Sequence, residues 1–168
     1  MSDHPPLQGS PRVLLEAYLD HLRRGVAGAL DGLSDEQAGR RALPGTDLTV
    51  AGVVAHLAHM EDHWFTIRFA GGPVPEPWAS APFDEDEDWD FHAGAGFGVE
   101  RARDLYLSAC ERSRRVAGAG DLDDVAATPS FGVGPVSLGW ILVHMVQETA
   151  QHLGHLDLLR DELRRTST

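Results

Sequence analysis

"SLGWILVHMVQETAQHLGHLDLLRDEL", residues 137–163, is the stretch whose reading decides the fold. Leu138, Ile141, Met145, Leu156, Leu159 and Leu163 recur at helical intervals, and Ser137 stands in front of them as an N-cap. With His144 as origin and a turn of about 100° per residue, Ile141 and Leu159 fall at about 60°, Met145 and Leu163 at about 100°, and Leu138 and Leu156 at about 120°. That arc is the predicted core face. Glu148 falls at about 40°, His152 at about 80° and His155 at about 20°, so a carboxylate and an imidazole are expected to point inward among Ile, Met and Leu. A buried carboxylate without a positive partner is strongly penalised, so a cation is expected beside Glu148.

Working outward, three more long helical stripes appear. "SPRVLLEAYLDHLRRGVAGALDGL" opens on Ser10 and Pro11 and repeats Leu15, Leu19, Leu22, Val26 and Leu30, ending near Asp31-Gly32. "SDEQ" at 34–37 is a capping box that starts a short extra helix, closed by Pro44-Gly45. A second long helix is expected from about Thr49 to Phe69, stopped by Gly71, Gly72 and Pro73, and a third from about Val99 to Val116. Residues 71–96 are rich in proline and carry the acidic run Asp84 to Asp88, which reads as a long surface loop or as a lid. Its Trp78, Phe83 and Trp89 would serve a homodimer contact as readily as a lid. No stretch alternates as a strand would, so four apolar stripes joined by unequal connections predict an all-α, four-helix bundle.

Composition removes several classes of partner. The chain has 168 residues, which suits a single domain over 1–168, with 1–9 and 165–168 as tails. Net charge is -12, and all 14 cations are arginines dispersed along the chain, which excludes nucleic acid as a partner because phosphates demand clustered cations. No apolar run approaches the roughly 20 residues that cross a bilayer, so no membrane span is expected. The amino terminus lacks a signal-peptide core and Cys110 has no second cysteine to pair with, which points to a cytoplasmic protein. Cys110 reads as a small core residue.

The ionisable groups suggest a metal. Glu148 and His152 are four apart and stack on adjacent turns of one face, where an oxygen and a nitrogen can share a divalent ion. The second long helix offers His56, His59 and His63. His56 and His63 border its apolar arc while His59 points away, so His56 is the expected inward ligand, His63 its substitute and His59 a structural histidine. Three ligands, His56, Glu148 and His152, leave positions for water or substrate, as catalytic sites do. Zinc is the first expectation, with nickel or iron also suited to two imidazoles and a carboxylate. His155 and His144, a turn away, are the expected catalytic residues, orienting ligands or handling protons.

The paired motifs "VVAHLAHMEDHWF" and "SLGWILVHMVQETAQHLGHLDLLRDEL" resemble those of the DinB/YfiT-like metalloproteins, on the branch near mycothiol-dependent maleylpyruvate isomerase. The resemblance runs from about Leu14 to Leu163 and implies a bundle in up-down-down-up order. It also implies a divalent metal held by one histidine of the second helix, His56 here, and two ligands four apart on the last, Glu148 and His152. Most members carry histidine where this chain has Glu148, and His-Arg-Gly-Gln where it reads His152-Leu153-Gly154-His155; the glutamate is similar to the isomerase branch. The resemblance further implies an enzyme in which the metal activates a low-molecular-weight thiol, with mycothiol as co-substrate, for S-transfer to a small-molecule electrophile or for isomerisation. A bound cation lowers a thiol's pKa, which gives that chemistry its physical sense. Two other readings stay open: a hydrolase using the same ligands, and a non-catalytic, stress-associated bundle that binds metal or a small ligand.

Overall fold

The computed structural model describes residues 4–129 and 134–166. Part of the connection that leads into the last long helix, and the outermost parts of both tails, therefore lie outside the described residues. Helix α1 (Pro11–Gly28) starts as its sequence dictates, with Ser10 Oγ accepting from the Val13 amide at 3.3 Å and Pro11 where no amide is needed. In α2 (Asp35–Ala38) the Gln37 amide donates to Ser34 Oγ, and the Ser34 amide donates back to Gln37 Oε1. This helix stops at Ala38, short of the expected Pro44-Gly45. Thr49 Oγ1 caps α3 (Val50–Glu61) by accepting from the Gly52 amide at 3.0 Å.

The second long helix does reach Phe69, but it changes character at Asp62. Residues Asp62–Phe69 form a π-helical segment, wider than the 3.6-residue turn on which the sequence reading was built. Gly71 then ends the run with φ of 64°, a left-handed backbone that glycine adopts without steric cost.

The largest correction concerns residues 71–96. They are no plain surface loop, since they hold a single 3₁₀ turn at Trp78–Ser80 and the helix α4 (Trp89–Gly94). Their aromatic rings turn inward: Trp78 is buried and donates from Nε1 to Asp62 Oδ2 at 3.0 Å, while Phe83 and Trp89 are half-buried and meet edge to face. The expectation of an exposed aromatic patch fails because the rings find the flank of the second long helix.

Two long helices complete the chain, α5 (Gly98–Ala119) and α6 (Leu138–Thr166), the latter with Ser137 Oγ accepting from the Trp140 amide at 3.2 Å. The regular elements of the described residues are all helical, and an isolated bridge joins Val125 to Ser137. No helix among them is long and apolar enough to cross a membrane. Helix α3 packs against α4, α5 and α6, and α1 packs against α6. That central position follows from composition, since Val50, Ala51, Val53, Val54, Ala55, Leu57 and Ala58 are buried nearly all round the helix.

Helix α4 approaches α3 closely because glycines face each other. A Cβ on Gly52 would stand 2.5 Å from the Phe91 carbonyl oxygen, and one on Gly94 would stand 2.6 Å from Ala55 Cβ. Two ion pairs, one buried and one with a half-buried arginine, tie the remaining layers to the same helix. Arg23 of α1 grips Glu61 through two bonds of 2.7 and 2.6 Å, and Arg112 of α5 grips Asp62 through two of 2.7 and 2.8 Å.

Candidate metal centre

Three side chains from two helices meet at the rim of the core. His56 Nε2 lies 3.3 Å from Glu148 Oε1, and His152 Nε2 lies 3.2 Å from that same oxygen. One ligand atom from each residue falls within 4.8 Å of the others. The convergence comes from α3 lying against α6, with Glu148 and His152 one turn apart on α6.

The group is not in the dry interior, as the helical wheel suggested. His56 and Glu148 keep side-chain exposures of 13% and 20% while His152 is buried, so the group lies at the edge of the core. The inward position next to Glu148 belongs to Thr149, fully buried together with Leu142. Those two extend the apolar arc beyond 120°, to about 140° and 160°, which leaves Glu148 on its shoulder.

Electrostatics favour positive charge at the junction. Hydrogen bonds from His152 and His56 hold the Glu148 carboxyl well below the usual carboxylate range, against the upward push of burial. Burial lowers the His56 pKa, but bonds to Asp90 and Glu148 outweigh it and raise it above the ordinary imidazole value. Both nitrogens of His56 face carboxylate oxygens, an arrangement satisfied by a proton on each, or by a proton behind and a cation in front.

Of the other predicted residues, His155 touches the group, its Nδ1 lying 3.3 Å from His152 Nδ1. His144 makes no hydrogen bond to the group but stands close enough to feel the charge of Glu148. Its ring stacks on Trp140 at 5.0 Å and meets Trp64 at 4.7 Å, one turn before Glu148. His63 stays apart and accepts from Arg68 Nε at 3.3 Å. Burial, with Arg68, His59 and His144 nearby, holds the His63 imidazole down at about 4. His59 stacks on Phe83 at 4.7 Å. Cys110 is buried, and burial pushes its thiol far up, which fits a packing residue and no nucleophile.

Sequence reasoning missed Asp90. This carboxylate on α4 has Oδ2 at 3.1 Å from His56 Nδ1 and 2.7 Å from His59 Nδ1. Burial pushes its pKa up, yet the bonds from the two histidines hold it well below the usual range. The ring of Phe91, the next residue, stacks on His56 at 4.0 Å. Asp90 follows a run of acidic residues with no feature of its own, so no sequence signal separates it from its neighbours.

Comparison with known proteins adds one match and one absence. The family profile described as mycothiol-S-transferase matches residues 14–165. No curated protein matches the chain.

Proposed function

From the premise that the chain belongs to the mycothiol S-transferase family, we propose that it uses a divalent ion, held by His56, Glu148 and His152, to join mycothiol to a small-molecule electrophile or to isomerise one through the same thiol. The observation that carries this reading is the convergence of two imidazole nitrogens and a carboxylate oxygen within 4.8 Å, in a chain matched by that family over most of its length. The donor set fits an open catalytic site, having three ligands of the types zinc, nickel and iron accept, partial exposure, and no cysteine among them. Zinc is the ion we expect. When bound there, such an ion supplies Lewis acidity that lowers the pKa of a thiol toward neutrality.

The chain's own residues do the rest. His56 and His152 turn Nε2 toward Glu148, and each keeps its Nδ1 for a partner behind it. With its Nε2 given to an ion, His152 would keep its proton on Nδ1 and donate it to His155 Nδ1, 3.3 Å away, which leaves the far nitrogen of His155 for proton handling at the edge of the site. His144, packed on Trp140 and with its pKa lowered by burial, serves as a neutral wall one turn from Glu148. In S-transfer a carbon–sulfur bond forms, the leaving group departs with its bonding electrons, and the thiol proton passes to solvent or to a neighbouring base. The frame we propose is one four-helix domain in up-down-down-up order, working in the cytoplasm.

The test combines elemental analysis of purified protein with incubation of mycothiol and a generic alkylating or arylating electrophile. About one divalent ion per chain and a thiol conjugate are expected, and H152A is expected to drop occupancy below about a tenth and abolish conjugation. Stoichiometric metal with no conjugate would overturn the transferase reading. Ester or amide cleavage without added thiol would replace it with a hydrolase.

A further inference from the structure

We infer that Asp90 is a positioning residue that fixes the ring of His56 so that its Nε2 faces the metal site. The inference rests on the metal-site reading above and goes beyond it, because it gives the acidic connection a part in the site.

Position on the helix places His56 beside the apolar arc, but it does not set the tautomer or the direction of the ring. The structure gives His63 a partner of its own and gives His56 and His59 the same carboxylate. His63 Nε2 accepts from Arg68. His59 spends Nδ1 on Asp90 at 2.7 Å, with its ring held against Phe83 and Trp78. His56 also gives Nδ1 to Asp90 Oδ2, at 3.1 Å, and the geometry of the ring then aims Nε2 at Glu148 and His152. A carboxylate behind an imidazole fixes its tautomer and its orientation and strengthens the opposite nitrogen as a donor.

Asp90 is itself fixed. Its side chain is 4% exposed, and Oδ1 accepts from the Phe91 amide at 2.8 Å. The Phe91 ring lies nearly parallel to His56, at 15°, and the glycine contacts between α3 and α4 leave no room for either helix to shift toward the other. Residues 71–97 therefore act as a fixed wall that sets a ligand's direction.

Cobalt(II) titration of the metal-stripped full-length protein against a competing chelator, read with the ligand-field absorption of bound cobalt, tests this. D90N is expected to weaken cobalt binding about 10- to 100-fold and to change the absorption band, while H59Q, which keeps the bond between Asp90 and His56, stays close to wild type. Should D90N fail to fold, D90E answers the same question, because it keeps the charge and misplaces the oxygen; several-fold weaker binding is expected. A D90N or D90E protein that binds cobalt with wild-type affinity and spectrum, whatever its melting temperature, overturns the positioning role. Wild-type protein that binds no cobalt at all removes the metal site itself, and the inference with it.

Discussion

At the scale of single residues, identity and position on a helix were enough to find the three groups that meet, but not to find what holds them. His56, Glu148 and His152 were legible because a carboxylate and imidazoles on or beside an apolar stripe are costly unless they share a partner. Arg23 was legible in principle, since it sits four residues after Leu19 and three before Val26, in the middle of the α1 stripe. His63 illustrates the opposite case, because its place beside the apolar arc suggested a substitute ligand while its half-buried surroundings hold its imidazole down at about 4. Its ordinary value of 6.5 lies above that, so below about pH 6.5 the unfolded chain takes up a proton that the folded chain refuses. His63 therefore contributes a loss of stability as pH falls from about 6.5 to about 4, after which its contribution levels off. H63Q is expected to flatten that limb, checked by comparing urea midpoints of wild type and variant at intervals across that range; parallel curves would contradict the assignment.

At the scale of elements, the sequence set the starts of helices better than their ends or their company. Ser10, Ser34, Thr49 and Ser137 each cap a helix where the local code puts one, because a cap is a contact within three or four residues. The π-helical turn at Asp62–Phe69 and the helix α4 lay beyond that code, since each depends on what packs against it. The contact between α3 and α4 is open to a direct test. G94A places a methyl 2.6 Å from Ala55 Cβ and 3.0 Å from Gly52 Cα, an overpacking expected to cost about 1–3 kcal/mol and to loosen the hold of Asp90 on His56. Thermal melts and cobalt titration should both register it. G118A in α5 is the control, with nothing within 4 Å of its new methyl, and is expected to be neutral or to gain up to about 1 kcal/mol from helix propensity.

At the scale of the molecule, α3 has no solvent face along most of its length, and that single fact explains the buried acids at its end. Glu61 and Asp62 are fully buried, each clasped by an arginine from a different helix, Arg23 from α1 and Arg112 from α5. Removing one partner of the drier pair strands a charge, so R23M is expected to cost about 3–5 kcal/mol in chemical denaturation, whereas R23M combined with E61L should recover most of the loss. A single variant no less stable than wild type would show the pair to be dispensable. By itself the sequence determined the all-helical class, the four long stripes, the caps, and the three candidates His56, Glu148 and His152 that come together, because periodicity, capping and desolvation act over a few residues. Only the tertiary structure decided that Glu148 lies on the shoulder of the core, that Asp90 of the acidic connection stands behind His56, that His63 pairs with Arg68 and that His144 packs on Trp64 and Trp140, because those outcomes depend on which residues come to share the same space.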